Sequence, residues 1–111
     1  MEAGDVVRVA LRQADGQYKP RPALLITQFP PYGDWFVCGI SSSLHLAVPD
    51  LDVVIDAGHP DLAITRLGRP GVVRVGFANT IAERVIEGTI GSVSRDTLLL
   101  VRTRLAAFIT A

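Results

Sequence analysis

The sequence has little cysteine, no long apolar run and no excess charge of either sign. Its single cysteine, Cys38, excludes an internal disulfide and a four-cysteine metal site, and it fits a reducing compartment. No apolar stretch approaches the roughly 20 residues that a membrane helix needs. The N-terminal residues lack a basic segment ahead of an apolar run, so they do not read as a signal peptide. These absences predict a cytoplasmic protein that makes no contact with a membrane.

The balance of charge limits how the chain can meet a nucleic acid. Basic and acidic side chains are equal in number, 11 of each, so the formal net charge is zero. Proteins that coat nucleic acids are usually basic overall, so any such contact is expected to be local and short. Hydrophobic residues make up 49% of the 111 positions. That share is enough for one compact domain with its own core, spanning residues 1–111.

Short segments rich in β-branched and aromatic residues predict a body made mostly of strands. Pro20 and Pro22 place the start of the second strand at an edge or entry position. The third strand is almost wholly apolar, so we expect it to be central in the sheet. Turns containing Gly, Pro and Asp separate the predicted strands, which are 5–11, 21–28, 35–41, 51–56, 72–81 and 87–93.

The last segment, 94–109, differs from the others because its apolar residues follow a helical period. Ser94 is a typical N-cap, and an acidic residue follows in the first turn. Apolar side chains then recur at helical spacing at Leu98, Val101, Leu105 and Phe108. The pattern predicts one amphipathic helix that closes the strands, and the fold class is therefore α+β with a small antiparallel barrel.

Motifs for nucleotide and metal binding are absent or weak. The chain has no Walker loop and no GxGxxG segment, and His45 and His59 have no nearby cysteine that would indicate a zinc site. Asp50, Asp52 and Asp56 surround the fourth predicted strand. They form either a magnesium site or, as is more common, the solvated face or edge of a sheet. We therefore expect neither a metal nor another cofactor.

Two arginines and a run of hydroxyl groups lie beside apolar strands. Arg21 begins the second strand in the segment YKPRPALLITQ, Ser41 ends the third strand, and Arg74 interrupts the apolar run VVRVGF. If folding brings them together, they can hold a phosphate, since arginine binds phosphate bidentately and stays charged. The alternative is that each is an ordinary surface residue of a loop or an alternating strand.

Five segments in a fixed order resemble the MazF/PemK family of toxins from type II toxin–antitoxin systems. They are GDVVRVAL, KPRPALLIT, WFVCGISS, VVRVGF followed by ANTI, and GTIGSVSRDTL. The resemblance runs from Gly4 to about Leu105, and its most specific pieces are the opening GD, RPALLI and a strand that ends in Ile-Ser. It implies a small SH3-like β-barrel of the MazF/PemK/CcdB type with a C-terminal α-helix, assembled as a homodimer.

The resemblance also implies a function, which is metal-independent cleavage of single-stranded RNA, growth inhibition and control by a cognate antitoxin protein. It maps the family's active-site arginine onto Arg21, its hydroxyl residue onto Ser41 and a later arginine onto Arg74. Cleavage of this kind leaves a 2′,3′-cyclic phosphate and a 5′-hydroxyl. Arg21 would be the chief stabiliser of charge on the phosphate, Ser41 a second donor, and Arg74 would bind the scissile phosphate.

Four further positions carry weaker expectations. Lys19, Ser42 and Asn79 are expected to contact the substrate, and His45 is a possible general base because histidine most often fills that role. The chain departs from PemK-like members at Gly76, where they carry an acidic residue, so the base is missing from its usual place. The alternative function is a non-catalytic domain that binds RNA or a protein partner, including poisoning of DNA gyrase.

Overall fold

Six strands and one C-terminal helix form the protein, and the computed structural model describes all 111 residues. The helix α1 spans Arg95–Ile109, and short 3-10 helices span Leu44–Leu46 and Glu83–Val85. No helix combines the length and the apolar character needed to cross a membrane. The strands are β1 (Asp5–Arg12), β2 (Tyr18–Phe29), β3 (Asp34–Ser41), β4 (Val53–Ile55), β5 (Gly71–Ile81) and β6 (Gly88–Ser92).

One curled antiparallel sheet contains all six strands in the order β4-β5-β3-β2-β1-β6. Both of its faces carry buried apolar side chains, because successive strand residues point to opposite faces. Val6 and Leu24 belong to the larger buried cluster, whereas their neighbours Val7 and Leu25 belong to the smaller one. The predicted α+β fold, with antiparallel strands and a closing helix, is confirmed, as is the central place of β3.

Helix α1 covers the larger cluster with its first three turns. The hydroxyl of Ser94 accepts the N–H of Thr97 at 3.3 Å, as an N-cap does. Leu98 and Val101 are buried in the cluster. Phe108 is 54% exposed, so its predicted place on the buried face is wrong. All residues after Leu105 are exposed, so the last turn of the helix contributes nothing to the core.

Strand β2 is longer than expected, because it begins at Tyr18 instead of Arg21. Residues 18–22 pair with β1 alone, since pairing with β3 starts only at Ala23. Pro20 and Pro22 therefore lie where the missing N–H of proline breaks no bond to β3. The predicted edge position of both prolines is confirmed. This one-sided end of β2 is what places Arg21 on the surface beside the end of β3.

Strand β5 contains an irregularity that shapes the candidate site. Val73 and Ala78 pair with residues on either side of Gly39 in β3, so the four residues 74–77 lie opposite this single glycine. Extra residues of this kind bend a strand and redirect its side chains. The ring of Phe77 packs on Gly39, where a Cβ atom would lie 2.5 Å from the ring. Glycine is therefore the residue that leaves room for the ring.

Candidate functional site

A cavity of about 290 Å³ at the end of β3 collects the arginines and hydroxyl groups that the sequence singles out. Arg21 reaches it from β2, Ser41 and Ser42 from the end of β3 and the loop that follows, and Arg74 from β5. No carboxylate lines the cavity, so both of its charged groups are cationic. We call it the serine cavity, and its remaining lining residues are Gln13, Ile40, Ser43, Leu46 and Phe77.

The polar groups of the serine cavity keep free hydrogen-bond donors. Ser41 Oγ accepts the N–H of Ser43 at 3.0 Å, which turns the chain at the end of β3. The same hydroxyl donates to no protein group, so its proton is available to a ligand. Arg21 is exposed and forms neither an ion pair nor a hydrogen bond with the protein. These donors suit an anion better than a neutral ligand.

Arg74 is held by Asp52, a buried carboxylate directly before β4. Arg74 Nε lies 3.4 Å from Asp52 Oδ2 and is itself buried without a hydrogen bond. The same carboxylate accepts the N–H of Val75 at 3.0 Å and the N–H of Val48 at 2.9 Å. One side chain thus connects the irregular part of β5 with the loop that follows Ser41. The side chain of Arg74 stays 33% exposed and lines the cavity.

The three aspartates around β4 differ in how far they are buried. The side chain of Asp52 is 1% exposed, whereas Asp50 and Asp56 are exposed. The prediction of a solvated sheet face is therefore wrong for Asp52, because buried N–H groups and an arginine require its carboxylate. No group of three or more His, Cys, Asp or Glu side chains lies close enough to hold a metal ion. The sequence carries no local signal for this role, since Val75 lies 23 residues away.

A second cavity of about 500 Å³ adjoins the first and shares Gln13, Arg74 and Phe77 with it. Arg12 and Asn79 add polar groups, and again no carboxylate is present. We call this the asparagine cavity. Gly76 also lines it, so the position at which PemK-like members carry an acid presents no side chain here. The two cavities together form a surface with arginines along its length.

Two of the sequence-predicted residues lie outside both cavities. Lys19 is exposed on β2, where it pairs with Leu11 of β1. His45 is exposed on the 3-10 helix Leu44–Leu46, and of this helix only Leu46 lines the serine cavity. The roles of Lys19 in substrate binding and of His45 as a base therefore stay predictions.

Three lining residues did not stand out in the sequence. Arg12 ends the first strand and Gln13 follows it, and the antiparallel hairpin of β1 and β2 places both near the start of β2. That signal was available, because two neighbouring strands joined by a turn usually pair. Phe77 is different. Its place between the cavities depends on the irregular pairing of 74–77 with Gly39, which no short-range pattern reveals.

A further cavity of about 440 Å³ lies between the β4 region and α1, and its charges are mixed. Asp50, Asp52 and His59 line it together with Arg104. Arg104 already donates a hydrogen bond to the backbone carbonyl of Asp52. Its guanidinium is therefore partly engaged, and the nearby carboxylates repel an anion. The serine cavity is the better candidate for phosphate chemistry.

The sequence matches the family of the PemK-like, MazF-like toxin of type II toxin–antitoxin system over residues 2–109. The chain belongs to this family. The resemblance inferred from the five ordered segments is thereby confirmed. A comparison with curated proteins finds no significant match to this family member.

Solved structures agree with the MazF-like fold. MazF from Deinococcus radiodurans has a TM-score of 0.74 at 22% identity, covering 100% of this chain and 97% of that chain. An endoribonuclease in complex with its cognate antitoxin, from a Mycobacterial species, has a TM-score of 0.72 at 17% identity, covering 99% and 95%. The Mycobacterium tuberculosis toxin MazF-mt6 has a TM-score of 0.65 at 20% identity, covering 93% and 96%. At these identities the likeness shows the fold.

Proposed function

We propose that this protein is the toxin of a toxin–antitoxin pair and a metal-independent endoribonuclease that cleaves single-stranded RNA. The main support is the serine cavity, where Arg21, Arg74 and Ser41 converge without a carboxylate. The chain as a whole has no net charge, but Arg21 has no carboxylate partner, so the cavity is a local cationic site even though Asp52 pairs with Arg74. Such a site matches a phosphate group, which accepts bidentate hydrogen bonds from arginine.

In the proposed reaction, the 2′-oxygen of a ribose attacks the adjacent phosphorus. The bond from phosphorus to the 2′-oxygen forms and the bond to the 5′-oxygen breaks, which leaves a 2′,3′-cyclic phosphate and a 5′-hydroxyl. The 2′-hydroxyl loses its proton and the departing 5′-oxygen takes one up. Negative charge grows on the phosphate oxygens in the transition state, and one well-placed donor lowers the barrier by about 3–4 kcal/mol.

The three central residues have distinct roles in this proposal. Arg21 is the chief electrostatic stabiliser, because its guanidinium has no partner in the protein and keeps all five donors for the phosphate. The Ser41 hydroxyl is the second donor. Arg74 binds and orients the scissile phosphate with its terminal nitrogens, since its Nε faces Asp52. A guanidinium held in advance by a buried carboxylate needs less reorganisation during the reaction.

The remaining residues contact the flanking nucleotides or accept the proton of the attacking 2′-hydroxyl. Ser42 in the serine cavity and Asn79 in the asparagine cavity contact neighbouring nucleotides, and Lys19 contacts the RNA backbone beyond Arg21. His45 is the proposed base, because it is the ionisable residue next to the cavity-lining Leu46. Replacing His45 with glutamine should remove one limb of the pH–rate profile, and an unchanged profile would contradict this role.

The proposal includes a protein partner and a second copy of the chain. The Deinococcus radiodurans relatives include MazE–MazF complexes, and the Mycobacterial endoribonuclease is bound to its cognate antitoxin. An antitoxin with an acidic segment would be attracted to the arginines of both cavities. The chain, a single domain over residues 1–111, is proposed to act in the cytoplasm as a homodimer. Sedimentation at micromolar concentration tests the dimer, and a monomer mass alone would contradict it.

The decisive experiment is cleavage of a long single-stranded RNA in EDTA by the wild type, Arg21→Ala and Arg84→Ala. Arg84 is exposed on the 3-10 helix Glu83–Val85 and lines neither cavity, so it is a matched control for charge. We expect the wild type and Arg84→Ala to cut RNA and leave 5′-hydroxyl ends. Arg21→Ala should be slower by roughly 10²- to 10³-fold.

Two other outcomes would replace the nuclease proposal. Folded wild-type protein, freed of antitoxin, that binds RNA but never cuts it would be a non-catalytic RNA-binding domain. Wild-type protein that inhibits growth but neither binds nor cuts RNA would act on a protein target such as DNA gyrase.

A further inference from the structure

A half-buried aromatic residue borders both the serine cavity and the asparagine cavity. Phe77 lines both, with Arg21 and Ser41 on one side and Arg12 and Asn79 on the other. Arg74 also borders both cavities. Proteins that hold single-stranded nucleic acids use this combination, in which cations follow the backbone and aromatic rings stack on bases.

The ring of Phe77 is held in one place by the backbone beneath it. A Cβ atom on Gly39 would lie 2.5 Å from Phe77 Cδ2 and 2.9 Å from Cε2, so the ring packs directly on the glycine. The four residues 74–77 opposite this glycine bring Phe77 and Arg74 to the same cavities, although they are three positions apart. A fixed ring loses little freedom when a base stacks on it.

A purely structural role for Phe77 accounts for only part of its environment. An aromatic ring over a glycine on the next strand does stabilise a sheet, and Phe77 packs at the border of the smaller buried cluster. That role needs only the contact of the ring with Gly39. Phe77 is only partly buried, and its open surface faces two cavities that carry arginines and no acid.

We propose that Phe77 is a stacking platform for a base of single-stranded RNA. The base next to the scissile phosphate stacks on the ring. The two phosphates on either side of this base then reach the arginines, the scissile phosphate Arg74 and its neighbour Arg12. The inference rests on the proposed function and adds a contact to it. Because every base has an aromatic face, Phe77 supplies affinity and fixes the register of the strand, but it does not read base identity.

The first test compares Phe77→Leu and Phe77→Tyr with the wild type. The probe is a short RNA that spans a mapped cleavage site and carries one deoxyribonucleotide there, so that it binds but lacks the attacking hydroxyl. Phe77→Leu should weaken binding by roughly 5- to 150-fold, the range that base–aromatic stacking supports. Phe77→Tyr should bind nearly as well as the wild type, because tyrosine keeps the ring. Urea unfolding checks that each variant is folded.

A series of abasic probes locates the contact. Removing the stacked base should make the wild type bind as weakly as Phe77→Leu, whereas removing any other base should leave the difference between the two proteins intact. Gly39→Ala gives an independent perturbation, because the added methyl group must displace the ring. It should weaken RNA binding in the wild type and have no further effect in Phe77→Leu.

Each failure has a separate meaning. Equal RNA affinity of Phe77→Leu and the wild type, with cleavage intact, would overturn the platform and leave the nuclease proposal standing. Binding by Phe77→Tyr that is as weak as binding by Phe77→Leu would show that an aromatic face at this position does not support RNA binding, and this would also overturn the platform. A wild type that neither binds nor cuts RNA would overturn both proposals together.

Discussion

Removing the Asp52 carboxylate is expected to destabilise the protein strongly, although the residue belongs to no motif. Asp52→Ala leaves the N–H groups of Val48 and Val75 without an acceptor and removes the ion-pair partner of Arg74. A buried donor without a partner costs about 1–3 kcal/mol. Breaking a buried ion pair by removing one partner costs about 3–5 kcal/mol, and the partly exposed Arg74 relieves some of it by turning to water. We expect the free energy of unfolding to fall by about 3–5 kcal/mol.

Asp52→Asn should be milder, because it keeps the shape and one acceptor. Its amide oxygen can accept one N–H, but its amide nitrogen then points a donor at Val48 or Arg74. We expect a loss of about 2–3 kcal/mol, smaller than that of the alanine variant.

Urea unfolding measures the stability of both variants, with the fluorescence of the protein's own tryptophan as the signal. Trp35 is the single tryptophan and is 3% exposed, so its fluorescence should change on unfolding. A lower midpoint at an unchanged slope reports a loss of stability. Asp56→Ala is the matched control, since Asp56 is exposed and its carboxylate accepts only the N–H of Gly58, at 3.1 Å. The control should lie within about 0.5 kcal/mol of the wild type.

A loss below about 1 kcal/mol for Asp52→Ala would refute this reasoning, because it would mean that the two N–H groups and Arg74 find other partners. RNA binding adds a second readout. If Asp52 acts on substrate through Arg74, Asp52→Asn should weaken binding in the wild type but change nothing further in Arg74→Ala. Additive losses in the double variant would mean that Asp52 acts on the fold alone.

Three smaller predictions concern residues away from the cavities. Burial raises the pKa of Asp61, but hydrogen bonds from Thr97 and Ser94 outweigh it and hold that pKa below its ordinary value. The stability advantage of the wild type over Asp61→Asn, measured by urea unfolding across pH, should therefore be full at neutral pH and shrink below about pH 4. Burial, and then the charge of Asp52, raises the pKa of Cys38 to about 12, so a thiol reagent at mildly alkaline pH should label only unfolded protein, and fast labelling of folded protein would contradict this. The exposed ion pair of Arg8 with Glu87, at 3.2 Å, should contribute little, and Arg8→Met should shift the free energy of unfolding by less than about 1 kcal/mol.

Much of the fold could be predicted from the sequence, because its signals are local. β-Branched segments mark the strands, and the unbroken apolar run of β3 indicates its central place. Ser94 marks the start of α1, because an N-cap acts within one turn of the chain. The helical period failed only at Phe108, which lies in the exposed last turn of the helix. A helical period shows which residues share a face of the helix, but it does not show how far the surface that this face packs on extends.

The candidate site needed the tertiary structure, since its parts are distant in the sequence. The family resemblance pointed to Arg21, Ser41 and Arg74, but only the folded chain brings them to one cavity. The sequence alone indicates that Asp52 is a surface residue. Only the structure shows that its carboxylate accepts a hydrogen bond from Val75, 23 positions away. The place of Phe77 beside the cavities depends on the four residues that lie opposite Gly39. Local patterns determine strands and helices because their energies act between near neighbours, whereas a cavity depends on which distant backbone groups meet in space.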